Sequence, residues 1–223
     1  MRLVFRNPVV KIVKALSKKE RNLFFASLLV FCISGLVYGV LLIKTNTHVV
    51  AANGGTYREG VVGQPAFMNP IIPTTETDRL MSRLVFASIR DMAESIKSSQ
   101  DGKTWNVRLK EGISWHDGEK VTADDVVFTV DVIHNPESRS PLRGSFEGVS
   151  VTRVSELEVE FKLENTYAFF EEDHLTSLLP IPKHLFFDLP ITNYKLSPFG
   201  LVPVGSGPYM VDSHEKDAKG FIK

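Results

Sequence analysis

An α+β (mixed) fold of short strands and isolated helices, set behind one N-terminal transmembrane helix, is what this sequence predicts. Three observations carry the prediction. Leu23 to Ile43 (LFFASLLVFCISGLVYGVLLI) is 21 residues without a charge, preceded by a basic segment. After residue 100, apolar and polar residues alternate in short runs closed by turn residues, the pattern of half-buried antiparallel strands. The helical patterns stand apart from these runs, without the regular strand–helix–strand alternation of a parallel α/β sheet.

Charge separates the chain into a head and a body. The totals balance at 26 Lys+Arg and 26 Asp+Glu, but residues 1–44 hold eight basic residues against one acid, Glu20, giving +7. The remaining 18 basic and 25 acidic residues put the body at −7. An acidic body argues against nucleic-acid binding, which needs clustered positive charge on the folded domain. Cys32 is the single cysteine and lies inside the apolar run, so neither a disulfide framework nor a cysteine zinc site can be built.

The head divides into a cytoplasmic basic segment (1–22), a transmembrane anchor (23–43) and a linker (44–55). At about 1.5 Å per residue the apolar run spans the roughly 30 Å hydrocarbon core of a bilayer. Seven Lys and Arg precede it and Lys44 alone follows before Arg58, which places the N-terminus inside and the body outside the cytoplasmic membrane. A cleaved signal peptide is the competing reading, with Val50-Ala51-Ala52 as its cleavage site, yet its apolar region should be roughly 7–15 residues. The linker (TNTHVVAANGG) is small, polar and closed by a Gly pair.

In the body, Thr56–Val62 reads as a strand stopped by Gly63 and Pro65. GQPAFMNPIIPTT follows with three prolines in nine residues and must be extended and irregular. Asp78 opens a helical pattern whose stripe of Leu80, Met81, Leu84 and Val85 reads as core packing. The turn Gln100–Lys103 leads into a strand with Trp105, Val107 and Leu109 on its buried face. Glu111-Gly112 makes a second turn, and Ile113 and Trp115 keep the same period. A hairpin of Val149–Val154 and Leu157–Leu163 turns at Ser155-Glu156. LTSLLPIPKHLF ends one helix and begins another element, and GSGPYMV (205–211) is a tight turn feeding a strand.

The stretch WHDGEKVTADDVVFTV, Trp115 to Val130, gathers His116, Asp117, Glu119, Asp124 and Asp125 and raises the question of chemistry. A metal site is disfavoured because the other histidines (His48, His134, His174, His184, His214) lack ligand spacing, and no calcium-loop pattern is present. An acid/base pair is disfavoured because Asp124 and Asp125 are adjacent and point about 100° apart on a helix. No familiar catalytic motif occurs elsewhere. The residues are better explained as scaffold. Asp117-Gly118 turns the chain, Thr122 is an N-cap, and Asp125 takes the capping-box position. Asp124 and Asp125 favour the helix dipole, and Val126, Val127, Val130 and Ile133 form the apolar stripe that Asn135-Pro136 ends.

AESIKSSQDGKTWNVRLKEGISWHDGEKVTADDVVFTV, in that order of motifs, resembles the signature region of the family 5 extracytoplasmic solute-binding proteins. These are the oligopeptide-, dipeptide- and nickel-binding components of ABC importers. GGTYREGVVGQPAFMNP, RLVFAS, SPLRGSFEGV, VTRVSELEVEFKL, LLPIPKHLF and GSGPYMV are similar to further segments of the family, so that the resemblance runs over residues 54–211. It implies a periplasmic-binding-protein-like clamshell of two lobes that closes on a peptide or other small solute and presents it to a permease with ATPase subunits. No cofactor, metal or catalytic residue is implied. Trp115, His116, Asp117, Gly118, Thr122, Asp124 and Asp125 would be structural signature residues.

The resemblance also sets the expected organisation of 56–223 as a partial binding domain. First-lobe strands would lie at about 56–75 and 178–223, with a smaller inserted subdomain at about 76–177. Relatives are more than twice as long, so the second lobe is expected to be missing, and this polypeptide alone is expected to bind solute weakly or not at all. Relatives also carry a longer stretch where this chain has only Ile89–Met92. The residues after the Asn-Pro connection approach the ligand in relatives, which here implies Thr74 and Glu76, the acid facing a peptide's amino group. The alternative to a transport component is a transport-defective relic that serves as a membrane-anchored interaction or structural domain.

Overall fold

A computed structural model of the chain describes residues 16–46, 55, 60–216 and 218. Most of the basic segment, the linker and the expected strand at Thr56–Val62 lie outside the described residues, and Gly60–Val62, which are described, form no strand. The chain divides into two compact units, 1–58 and 59–223.

In the first unit, helix α1 (Lys18–Asn46, 29 residues) is long and apolar enough to cross a membrane. Ser17 starts it: its N–H and hydroxyl donate to Glu20 Oε2 at 2.8 and 2.7 Å, and Glu20 N–H returns a bond to the Ser17 hydroxyl. The hydroxyls of Ser27 and Thr45 donate to carbonyls of their own helix, Phe24 and Leu41, both at 2.9 Å. These two polar side chains are therefore satisfied without water, as an apolar surrounding demands.

The second unit is built on an antiparallel sheet of β1 (Ala93–Ser98), β2 (Thr104–Leu109), β3 (Val149–Arg153) and β4 (Glu158–Leu163), in the order β1-β2-β4-β3. Trp105 pairs with Phe161 and Val107 with Val159, so the buried side chains of the two central strands share one face. Helix α4 (Ala123–His134) lies against β3 and β4 and buries Val126, Val130 and Ile133. Phe170 closes the face, its ring 5.5 Å from Trp105 and 5.6 Å from Phe161. The alternation predicted for both central strands is present, because period-two burial needs only one covered face.

Two short helices precede the sheet. α2 spans Glu76–Val85 and α3 Ile89–Met92. The connection through α3 is well packed: the Ser88 hydroxyl donates to Asp91 Oδ2 at 2.6 Å, and Ile89 and Met92 are buried. After the sheet, a helical turn at Glu171–Leu175 ends before an extended run, and α5 (Lys183–Phe186) begins after Pro182.

Two sequence-based expectations need correction. The buried side of α2 is not the Leu80/Met81/Leu84/Val85 stripe. Thr77, Asp78, Ser82 and Val85 are buried, while Leu80 and Leu84 are 43% and 45% exposed. The cause is Asp78, whose carboxylate takes the backbone of the preceding connection and so turns that side of the helix inward. The second correction is at GSGPYMV. Its turn forms, but 209–215 are not in a strand, and Tyr209 and Met210 are exposed. Tyr209 N–H reaches only a helix carbonyl, Leu84 O, at 3.3 Å, and no neighbouring strand pairs with it among the described residues.

Candidate functional site

The proline-rich connection before α2 is folded around one carboxylate. Asp78 Oδ1 accepts the N–H groups of Ala66 and Phe67 at 2.8 and 2.9 Å. Its Oδ2 accepts Thr74 N–H at 3.0 Å, the Thr74 hydroxyl at 2.7 Å and Thr75 N–H at 2.9 Å. Burial pushes the Asp78 carboxyl up, but the donors from Phe67, Thr74, Ala66 and Thr75 outweigh it and hold the group below the ordinary carboxylate range. Asn69 Oδ1 accepts Ile71 N–H at 3.0 Å, and Ser140 Oγ donates to Ile71 O. The connection is thereby pinned to the segment after α4.

Between these pinned parts lies an open groove of about 270 Å³, lined by Pro70, Pro73, Arg79, Ser82, Arg83, Pro141, Leu142, Ser177 and Leu179. That volume is just below what encloses a small ligand, as one wall of a binding site would be. Its walls mix prolines and leucines with two serines, and its charged groups are two guanidinium groups. Thr74 and Glu76 do not line it, although their neighbours Pro73 and Arg79 do. The Thr74 hydroxyl serves the Asp78 cap, and Glu76, its side chain 71% exposed, pairs with Arg79 at 3.0 Å. Sequence reasoning missed Ser82, Arg83 and Leu142. They come from segments about 60 residues apart, and no local pattern marks them.

The Trp115–Val130 stretch is spent on holding elements together. His116 Nδ1 accepts Gly205 N–H at 3.3 Å, while Nε2 lies 2.9 Å from Gly207 O. An amide can only donate and a carbonyl only accept, so the ring is the neutral tautomer protonated on Nε2. His116 N–H also donates to Gly205 O at 2.8 Å, completing a clasp between two turns. Trp115 is buried beneath it. Gly118 has φ +95°, which its lack of a side chain allows, and closes the turn after Asp117.

The four acids of this region diverge. Asp117 Oδ2 meets His184 Nε2 at 2.8 Å, and its Oδ1 accepts Glu119 N–H. Burial pushes the Asp117 carboxyl up, but the bonds from His184 and Glu119 prevail and hold it low. Asp124 pairs with Arg153 at 2.9 Å. Asp125 accepts Thr122 N–H at 2.8 Å on one oxygen and Lys183 N–H at 2.8 Å on the other, joining the starts of α4 and α5. The Glu119 carboxylate joins none of these contacts among the described residues. Among the described residues no three His, Cys, Asp or Glu side chains are grouped to hold a metal ion.

Comparison with known proteins follows this geometry. Residues 89–220 match the profile of the bacterial extracellular solute-binding proteins, family 5 middle. The oligopeptide-binding protein AppA of Bacillus subtilis is 30% identical over 168 residues, covering 70% of this chain and 31% of its own. Its structure in complex with a nonapeptide superposes with a TM-score of 0.63 over 72% of this chain and 34% of AppA, at 27% identity. The ABC transporter substrate-binding protein CtaP of Listeria monocytogenes gives a TM-score of 0.62 at 34% identity, over 70% of this chain and 33% of CtaP. NikZ of Campylobacter jejuni, in complex with Ni(L-His), gives 0.59 at 30% identity, over 70% and 32% of the two chains. The chain thus spans about a third of the length of the relatives it matches. With the profile matched over more than half of its residues and the same fold in these structures, this chain belongs to the bacterial extracellular solute-binding proteins of family 5.

Proposed function

We propose that this chain supplies first-lobe and inserted-subdomain parts of the solute-capturing component of an ABC importer. The family is one of solute-binding proteins, not enzymes. First-lobe segments are assigned to about 56–75 and 178–223, and the inserted subdomain to about 76–177. The observation that carries the reading is the groove of Pro73, Arg79, Ser82, Arg83 and Leu142, which lies between the Asn-Pro connection and the inserted part. A peptide or similar small solute occupies it, with Thr74 and Glu76 at its rim. Helix α1 anchors the body outside the cytoplasmic membrane, N-terminus inside, where permease and ATPase subunits receive the solute. The charge asymmetry and the length of α1 support that placement.

Saturation-transfer NMR tests the groove. The full chain in uncharged detergent micelles is mixed with an equimolar pool of di- to nonapeptides. Transfer to the peptides is expected, and Leu142→Trp, which fills the groove, should abolish it. Undiminished transfer with a folded Leu142→Trp variant removes the groove from the site, and no transfer in the parent chain removes the solute-binding reading.

A further inference from the structure

The groove has a chemical sign, and we infer that it accepts the carboxylate of a solute whose neighbouring body is apolar. This rests on the solute-binding reading and narrows it to a class of ligand. Ser82 is 1% exposed, and its hydroxyl has no hydrogen-bond partner among the described residues. Helical hydroxyls usually turn back onto a carbonyl of their own helix, as Thr129 does onto Asp125 O at 2.6 Å. Ser82 makes no such bond, and its hydroxyl lies buried just behind the groove wall, so an acceptor entering the groove would complete it once that wall opens slightly.

Arg83 lines the same groove and has no carboxylate within 4 Å among the described residues. Among the described residues Arg79 is held by Glu76 alone, an exposed i,i+3 pair that contributes little and is readily exchanged for another carboxylate. Among the described residues no acidic side chain lines the groove. Prolines 70, 73 and 141 bring no N–H groups, so the donors that converge are guanidinium and hydroxyl. A guanidinium binds a planar carboxylate in bidentate fashion, and Leu142 and Leu179 line the same groove beside the arginines. The amino-group role expected for Glu76 would place the opposite end of a peptide at the rim, outside this donor set.

Two probes that differ only in charge decide the question. The full chain in uncharged micelles is titrated with N-acetyl-phenylalanine and with N-acetyl-phenylalaninamide, followed by amide shifts. The acid should bind roughly tenfold tighter than the amide, the scale of a charge-assisted bidentate contact. Arg83→Gln should bring the two affinities together, and Ser82→Ala should weaken the acid selectively. Arg83→Lys, which keeps the charge on an exposed side chain, should retain part of the preference and guards against a folding artefact. Equal affinity for both probes in the parent chain, or an unchanged preference in folded Arg83→Gln, overturns the carboxylate inference while the solute-binding reading stands. Binding of neither probe by a chain that shows transfer to the peptide pool overturns the carboxylate inference alone, and loss of both signals overturns the solute-binding reading with it.

Discussion

Asp78 shows how one side chain fixes the backbone of four other residues. It is fully buried, yet it stays ionised because five donors converge on two oxygens. Removing it leaves the N–H groups of Ala66, Phe67, Thr74 and Thr75 without their acceptor. The Phe67 donor is buried and the other three are part-buried. Losing a charge-assisted bond or leaving a buried donor unpaired costs on the order of 1–3 kcal/mol. Asp78→Ala is therefore expected to destabilise the body by about 3 kcal/mol or more in chemical denaturation. The pH dependence has a definite sign. With the folded carboxyl held low, the unfolded chain takes up the proton first as pH falls. The stability contributed by Asp78 is thus fully present above the ordinary carboxylate range, near pH ~4, and is lost as pH drops through the lower folded value. Asp78→Asn should flatten that acid limb, leaving the contributions of Asp117 and Asp101, which have the same sign. A denaturation midpoint with the same acid limb in parent and variant would refute the assignment. None of this was visible in the sequence, where Asp78 read as the mere opening of a helix. Two of its donors are recruited from residues 11 and 12 positions upstream, beyond any capping pattern.

Elements were legible in proportion to how local their causes are. The central strands follow from period-two burial, and α4 follows from Thr122, its acids and Asn135-Pro136. The partners of those acids were not legible, because Asp125 to Lys183 and Asp117 to His184 span 58 and 67 residues. Helix α2 is the instructive failure. Its apolar stripe was real as a pattern, but the buried capping network chose a different face. Substitutions should therefore sort by the structure and not by hydrophobicity. Val85→Ala, which empties a buried site, is expected to cost about 2 kcal/mol, and Leu80→Ala under about 1 kcal/mol. Thermal denaturation of the two variants checks this, and a Leu80→Ala loss as large as that of Val85→Ala would restore the original stripe to the core.

At the scale of the whole molecule, the two units present different kinds of apolar surface. In the body the apolar side chains of the central strands are covered by α4 and Phe170, whereas in α1 the side chains from Leu23 to Ile43 lie almost all on the outside. A helix of that kind is stable in lipid, where its backbone is satisfied internally, and is a liability in water. The groove, by contrast, exists only once residues 70–83, 141–142 and 177–179 are assembled, which is why the sequence pointed to its neighbourhood and not to its lining. The anchor itself has a direct chemical test, because Cys32 is the single cysteine and sits inside α1. A retained helix carries one thiol per chain, buried at mid-span in the bilayer. In intact membranes a membrane-impermeant maleimide should leave Cys32 unlabelled, and after denaturing solubilisation it should label one thiol per chain. A chain cleaved after Ala52 has no cysteine at all and would stay unlabelled under both conditions. That outcome would make the apolar segment a signal peptide and release the body from the membrane.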